Sequence, residues 1–261
     1  MKRFFTDTKK FSQYLVYATK SELKSEVASS RLSWLWWILD PLLFMLVYTF
    51  ISLIVFQKGM PYFPVFVFIG LTIWNFFNKT VQTSVKLVKI NSAIVSKIYV
   101  PKYIFIMKQM LINGFKMCIS FILTFLLMLI YRVPLTWRIV YVIPLLVTLF
   151  VVTFGISTIM LHIGVFIDDL SNVVSVLLRL IFYMSGVFYS IENSGIPEPF
   201  GTLIQTLNPI ACIMQGMRNA LLYGKDFHFI AIGCWFVGGI FISLIGVSII
   251  YKNENSYVKV M

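Results

Sequence analysis

Six long apolar runs constrain this chain more than any motif does. They cover about 34–56, 63–87, 107–131, 139–166, 171–190 and 228–251. A helix needs about 20 apolar residues to cross the hydrocarbon of a bilayer. Unpaired backbone groups are costly there, so a spanning segment must be helical or part of a closed barrel. The two-residue alternation of a barrel is absent, and only 12% of the residues are charged, about half the share in a soluble domain. The expectation is an all-α integral membrane protein with six transmembrane helices in one domain, 34–251. A polar segment, 1–33, precedes it and a short tail, 252–261, follows.

The basic residues orient the spans. Lys2, Arg3, Lys9, Lys10, Lys20, Lys24 and Arg31 crowd the N-terminal segment. Lys86, Lys89, Lys97, Lys102 and Lys108 lie in or beside the second connection, and the tail adds Lys252 and Lys259. The opposite side carries Lys58, Arg132, Arg138, Arg218 and Lys225. An even number of spans places both termini on one side, and positive-inside bias makes that side cytoplasmic. Arg132 and Arg138 outside, with Asp168 and Asp169 inside, run against this bias. Residues 1–33 lack the apolar core and cleavage site of a signal peptide. Phe11, Tyr14, Leu15 and Ala18 share one helical face, which predicts an amphipathic helix at the membrane interface.

Two connections are long. Residues 88–106 read as a short cytoplasmic helix with a break at Val100, because Pro101 disfavours helix in the residue before it. Residues 191–227 are semi-apolar but interrupted by Pro197, Pro199 and Pro209. They are too broken to span and predict an external re-entrant helical hairpin, which must be covered by protein or water.

Several function classes fall away. The net charge of +12 is distributed around the apolar runs, which fits anionic headgroups and not nucleic acid. Cys118, Cys212 and Cys234 show no disulfide or metal spacing. His162 and His228 read as structural hydrogen-bonding residues. There is no Gly-rich phosphate loop, metal motif or catalytic constellation, so no catalytic residue, metal or cofactor is assigned to this chain.

Five motifs in order carry a family resemblance. They are SWLWWILDPLL in the first span, FIGLTIWNFF (68–77), NSAIVSKIYVPKYIF (91–105), FIDDLSNVVSVLLRLIFYMSGVFY (166–189) and LNPIACIMQGMRNALLYG (207–224). Over most of its length the chain resembles the permease subunits of ABC-2 type exporters of lipid-linked polysaccharides: O-antigens, capsules and wall teichoic acids. It departs at Asp40, where the family usually has an amide. It also departs at Asp168, usually basic, and at Ser185-Gly186, often Ser-Pro. The resemblance implies a multi-pass protein of the cytoplasmic membrane. Two copies form a homodimer, with two separate ATPase subunits holding ATP and Mg, and the glycan passes between the two permeases. It also implies that the first cytoplasmic loop is an ATPase-coupling element, here Asn91, Ile94, Lys97, Ile98, Tyr99, Pro101 and Lys102. An ordinary basic surface loop is the other reading of that segment. An exporter of a drug, peptide or lipid is the alternative within the fold, and an integral membrane transferase the alternative outside it.

Charges inside the spans point to a site. Asp40, Lys116 and Arg179 fall at similar depth in the inner half of the first, third and fifth spans. Each costs about 2.5–3.5 kcal/mol if it faces lipid at mid-span, so they are expected to face protein, water and one another. They form either a structural ion pair with snorkelling or a site for an anionic substrate such as the diphosphate of a polyprenyl carrier. Trp37, Asp40, Phe44 and Tyr48 share one stripe, and Arg179, Phe182, Gly186 and Tyr189 another. The rings of Trp37, Phe44, Tyr48, Phe182 and Tyr189 suit a glycan channel, or ordinary packing. Trp34 and Trp36 suit the interfacial belt. Asn208, Pro209 and Arg218 form either an outer gate or a capped, broken helix that closes the fold.

Overall fold

The computed structural model describes residues 2–28, 32–52, 60–191, 197 and 199–259. Arg31, Lys58 and most of 192–198 from the expectations above lie outside them. Every regular element among the described residues is helical. The N-terminal segment forms α1 (Lys2–Lys10) and α2 (Ser12–Ala28). The main bundle is α3 (Ser33–Phe50), α4 (Phe63–Ser84), α7 (Tyr103–Ile130), α8 (Val142–Phe166), α9 (Leu170–Met184) and α12 (Phe229–Lys252). Single turns α5 (Leu87–Ile90) and α6 (Ser92–Val95) follow α4. Helices α10 (Phe200–Leu207) and α11 (Pro209–Arg218) precede α12, and α13 (Glu254–Lys259) ends the chain.

Four described helices are long and apolar enough to cross a membrane: α3, α7, α8 with its preceding 3₁₀ turn, and α12. The other two expected spans differ from expectation. Helix α4 has the length, but Asn75, Asn78 and Lys79 dilute its apolar run. Most of its residues are buried, because α3, α7, α8, α9 and α11 all pack on it. Helix α9 has only 15 residues, about 22 Å at 1.5 Å per residue. It stops where Ser185 Oγ donates to Ile181 O (2.6 Å) and Gly186 turns the chain at φ +65°. Any other L-residue is strained at that φ. Helices α8 and α12 make the most extensive pairing, with Gly239 and Gly246 against Val152 and Thr158. Small residues let apolar helices approach closely where lipid supplies no hydrophobic drive.

The contacts group the connections at two ends of the bundle. Arg3, Tyr99 and Glu254 touch, and Lys89 pairs with Asp168. Both termini, the 88–106 segment and the 167–169 loop therefore share one end, called here the basic end. The α7–α8 connection lies at the other end, where Arg138 pairs with Asp226 at 2.8 Å.

Candidate functional site

Helices α3, α4 and α7 line a half-open cavity of about 270 Å³. Each contributes one stripe at helical spacing: Trp36, Trp37, Asp40 and Pro41 from α3; Thr72, Asn75, Phe76 and Lys79 from α4; Asn113, Lys116, Met117 and Ser120 from α7. Asp40 and Lys79 are 3.9 Å apart, with about half of each side chain exposed (46% and 51%). Lys116 lies 5.3 Å over the Trp37 ring and holds Glu26 of α2, with contacts of 2.9 Å to Oε1 and 2.6 Å to Oε2. Asn113 donates to Thr80 Oγ1 (2.9 Å). The Asn75 amide makes no hydrogen bond with any described residue.

Asp40 and Lys116 thus share one cavity, as their depth predicts, but they do not pair with each other. Asp40 faces Lys79, and Lys116 takes Glu26. Arg179 does not join them; it is exposed on α9 and makes no ion pair among the described residues. The expectation that the three charges meet is corrected, because Asp40 and Lys116 each find a nearer partner on a neighbouring helix. Sequence reasoning missed Lys79, Asn75, Asn113 and Glu26. Asn75 and Lys79 are four residues apart, and that spacing was the available signal. For Glu26 it was the ladder Leu15, Thr19, Glu22, Glu26, which continues the predicted amphipathic face onto α7. Glu22 pairs with Lys108 at 2.7 Å.

The two aromatic stripes meet. Tyr48 stacks on Phe188 (5.0 Å, 2°) and lies 6.4 Å from Phe44 and 6.3 Å from Phe182. Trp74 touches Phe182 at 5.3 Å, and the Tyr189 ring lies 5.5 Å from Phe188. Tyr189 donates its hydroxyl to Tyr183 O (2.8 Å). Trp37 stands apart, on the cavity and 6.1 Å from Phe115. One stripe of α3 therefore runs from the charged cavity (Trp37, Asp40) to the aromatic cluster (Phe44, Tyr48).

At the basic end the segment after α4 forms two single turns, α5 and α6, broken at Asn91, whose amide donates to Leu87 O (2.7 Å). One continuous short helix is corrected to this pair, and the break at Val100–Pro101 falls as expected. Lys97, Ile98 and Tyr99 are exposed, and Ile94 is half-buried. Asn91, Pro101 and Lys102 are buried. Tyr99 accepts from Arg3 (2.6 Å) and donates to Glu254 (2.8 Å). Its phenol is pushed up to about 12, by burial first and then by the bond to Glu254. Tyr251, under the Arg3 guanidinium at 4.2 Å, donates to Asp7 (2.9 Å). This network ties the exposed segment to both terminal regions. No sequence spacing announces it.

Opposite the basic end, Asn208 caps α11 by accepting from Ile210 N (3.0 Å) and Ala211 N (3.3 Å), with Pro209 at the first helical position. Its amide donates to Ser185 Oγ (2.8 Å). Arg218 is buried, lies 3.5 Å over the Phe66 ring, and donates to Phe66 O (3.2 Å), Gly186 O (2.9 Å) and Val187 O (2.7 Å). These contacts fit the capped, broken helix that closes the fold. No group of metal-ligating side chains occurs among the described residues.

The sequence profile described as ABC-2 type transporter matches residues 13–222. A curated relative, the O-antigen export system permease protein RfbA of Klebsiella pneumoniae, is 30% identical over 251 residues, covering 95% of this chain and 94% of the relative. A second K. pneumoniae protein of that name is 29% identical over the same length. One from Myxococcus xanthus is 27% identical over 223 residues, 85% of each chain.

Proposed function

The chain belongs to the ABC-2 type transporter family, and on that premise we propose that it is the permease subunit of an ATP-driven exporter of a lipid-linked polysaccharide, of the O-antigen, capsule or wall teichoic acid type. The names of its relatives support this substrate class. The permease works in the cytoplasmic membrane with six spans and its basic end in the cytoplasm. Two copies form the passage, and two separate ATPase subunits, with their ATP and Mg, dock on the exposed Lys97, Ile98 and Tyr99.

The observation that carries this reading is the continuous α3 stripe. A phosphate headgroup needs cations and amide donors, which Lys79, Lys116 and Asn75 supply. A sugar chain needs flat rings that slide along it, which Phe44, Tyr48, Phe182 and Tyr189 supply. Both lie on one line along the bundle. Arg179, exposed on α9, adds a cation to the same passage when a second copy faces it. The broken α10–α11 pair forms the external re-entrant gate, which Asn208, Pro209 and Arg218 brace.

The test is ATP hydrolysis by the reconstituted complex of this chain with its ATPase, titrated with lipid-linked glycans, amphipathic drugs and peptides. Stimulation by the glycans alone is expected. Equal or greater stimulation by drugs or peptides refutes the substrate class.

A further inference from the structure

Glu26 has a position that structural pairing alone does not require. Of the two α2 carboxylates that reach α7, Glu22 meets Lys108 and Glu26 meets Lys116. Only the second cation lines the cavity. Glu26 brings both carboxylate oxygens to Lys116 Nζ, at 2.9 and 2.6 Å, so it occupies the charge-assisted contact that a phosphate would make with this ammonium. The cavity holds about nine waters' worth of volume at ~30 Å³ each, enough for a diphosphate. Its other donors are underused: Lys79 stands 3.9 Å from Asp40, beyond hydrogen-bond length, and Asn75 has no hydrogen bond among the described residues.

We propose that Glu26 is an internal stand-in for the substrate's headgroup: a diphosphate entering the cavity displaces Glu26 from Lys116, takes Lys79 and Asn75 as further donors, and releases the end of α2 from α7. The inference rests on the exporter reading and adds a ligand-exchange step to it. Two anions on one ammonium repel each other, so occupancy and the Glu26–Lys116 pair oppose each other. Glu26 is suited to leave, because its side chain keeps 36% of its exposure and an open pair is held less firmly than a buried one. Helix α2 packs on α3, so the release acts on the helix that carries Trp37 and Asp40.

The probe is farnesyl diphosphate, with farnesol and inorganic pyrophosphate as the lipid-only and headgroup-only arms, titrated calorimetrically into the full chain in nanodiscs. Glu26→Gln removes the competitor and is expected to bind farnesyl diphosphate at least about 5-fold more tightly than the unsubstituted chain, the lower range of measured site-to-site coupling. Lys116→Gln is expected to bind about 10-fold more weakly or worse, the loss of one charge-assisted hydrogen bond. Glu22→Gln loosens α2 but leaves Glu26 on Lys116, and is expected to tighten binding by less than Glu26→Gln does. Pyrophosphate is expected to follow the same order more weakly, and farnesol to be indifferent to all three. Equal affinity in Glu26→Gln and the unsubstituted chain overturns the exchange and leaves the exporter reading standing. Absence of diphosphate binding in every form overturns the headgroup site as well. An independent readout needs no variant: amide hydrogen exchange across residues 20–28 of the unsubstituted chain rises with farnesyl diphosphate and not with farnesol. Unchanged exchange at saturation overturns the release of α2.

Discussion

Replacing Gly70 with alanine adds one methyl group at a crowded polar contact of the bundle. A Cβ there falls 2.5 Å from Arg218 Nη2 and 2.9 Å from Val187 O. Neither neighbour is free to yield. The guanidinium is pinned between the Phe66 ring and three carbonyls, and Val187 O is the acceptor of its shortest bond, 2.7 Å. Displacing Nη2 breaks one charge-assisted hydrogen bond worth about 1.5–3 kcal/mol and strands a buried carbonyl at about 1–3 kcal/mol. Overpacking adds roughly 1 kcal/mol or more. The expected destabilisation is about 3.5–7 kcal/mol, much of the margin of a natural protein. The assay is equilibrium unfolding of the purified chain in mixed micelles, run as a double-mutant cycle with Arg218→Met. If the cost comes from displacing Arg218, Gly70→Ala costs less than about half as much in the Arg218→Met background, because neighbouring sites are coupled. Strict additivity, or a single-mutant cost under about 1 kcal/mol, refutes the reasoning.

Four further outcomes are expected. Asn208→Ala removes the α11 cap and the bond to Ser185, lowering stability by about 1–2 kcal/mol in the same unfolding assay. Lys79→Gln leaves the melting temperature nearly unchanged, since an exposed, loose pair contributes about 0–1 kcal/mol, but lowers glycan export in a complementation assay; unimpaired export removes Lys79 from the passage. Arg179→Glu abolishes export while leaving assembly with the ATPase intact, read by co-purification, and preserved export counts against its place in the passage. The Tyr99 phenol, with its folded value of about 12 above the ordinary 10.0, stabilises the basic end fully below its unfolded value. That contribution is lost as pH rises through about 12. The difference in phenolate absorbance between the unsubstituted chain and Tyr99→Phe should titrate near that pH, and titration at the ordinary phenol value refutes the bond to Glu254.

The stripes on α3 and α9 were legible because helical spacing alone aligns Trp37, Asp40, Phe44 and Tyr48. The break at Pro101 and the cap at Asn208-Pro209 were legible because proline geometry acts locally. The partners of the charges were not. Asp40 meets Lys79 across 39 positions and Lys116 meets Glu26 across 90, and a periodic pattern says which way a side chain points but not which helix stands there. The length of α9 was also obscured, since its apolar run continues past Met184 and only the turn at Gly186 ends it.

Local composition determined that this chain is helical and membrane-embedded, which end is basic, and which residues line each helix face. All of these follow from the solvent and from a rise of 1.5 Å per residue. Tertiary structure decided that α4 would be enclosed, that Arg218 would be spent on carbonyls, and that one cavity would gather Asp40, Lys79 and Lys116 with Glu26 at its edge. Those outcomes depend on which helices pack together. Contacts between residues far apart in sequence settle that packing, and the chain's periodicity does not encode it.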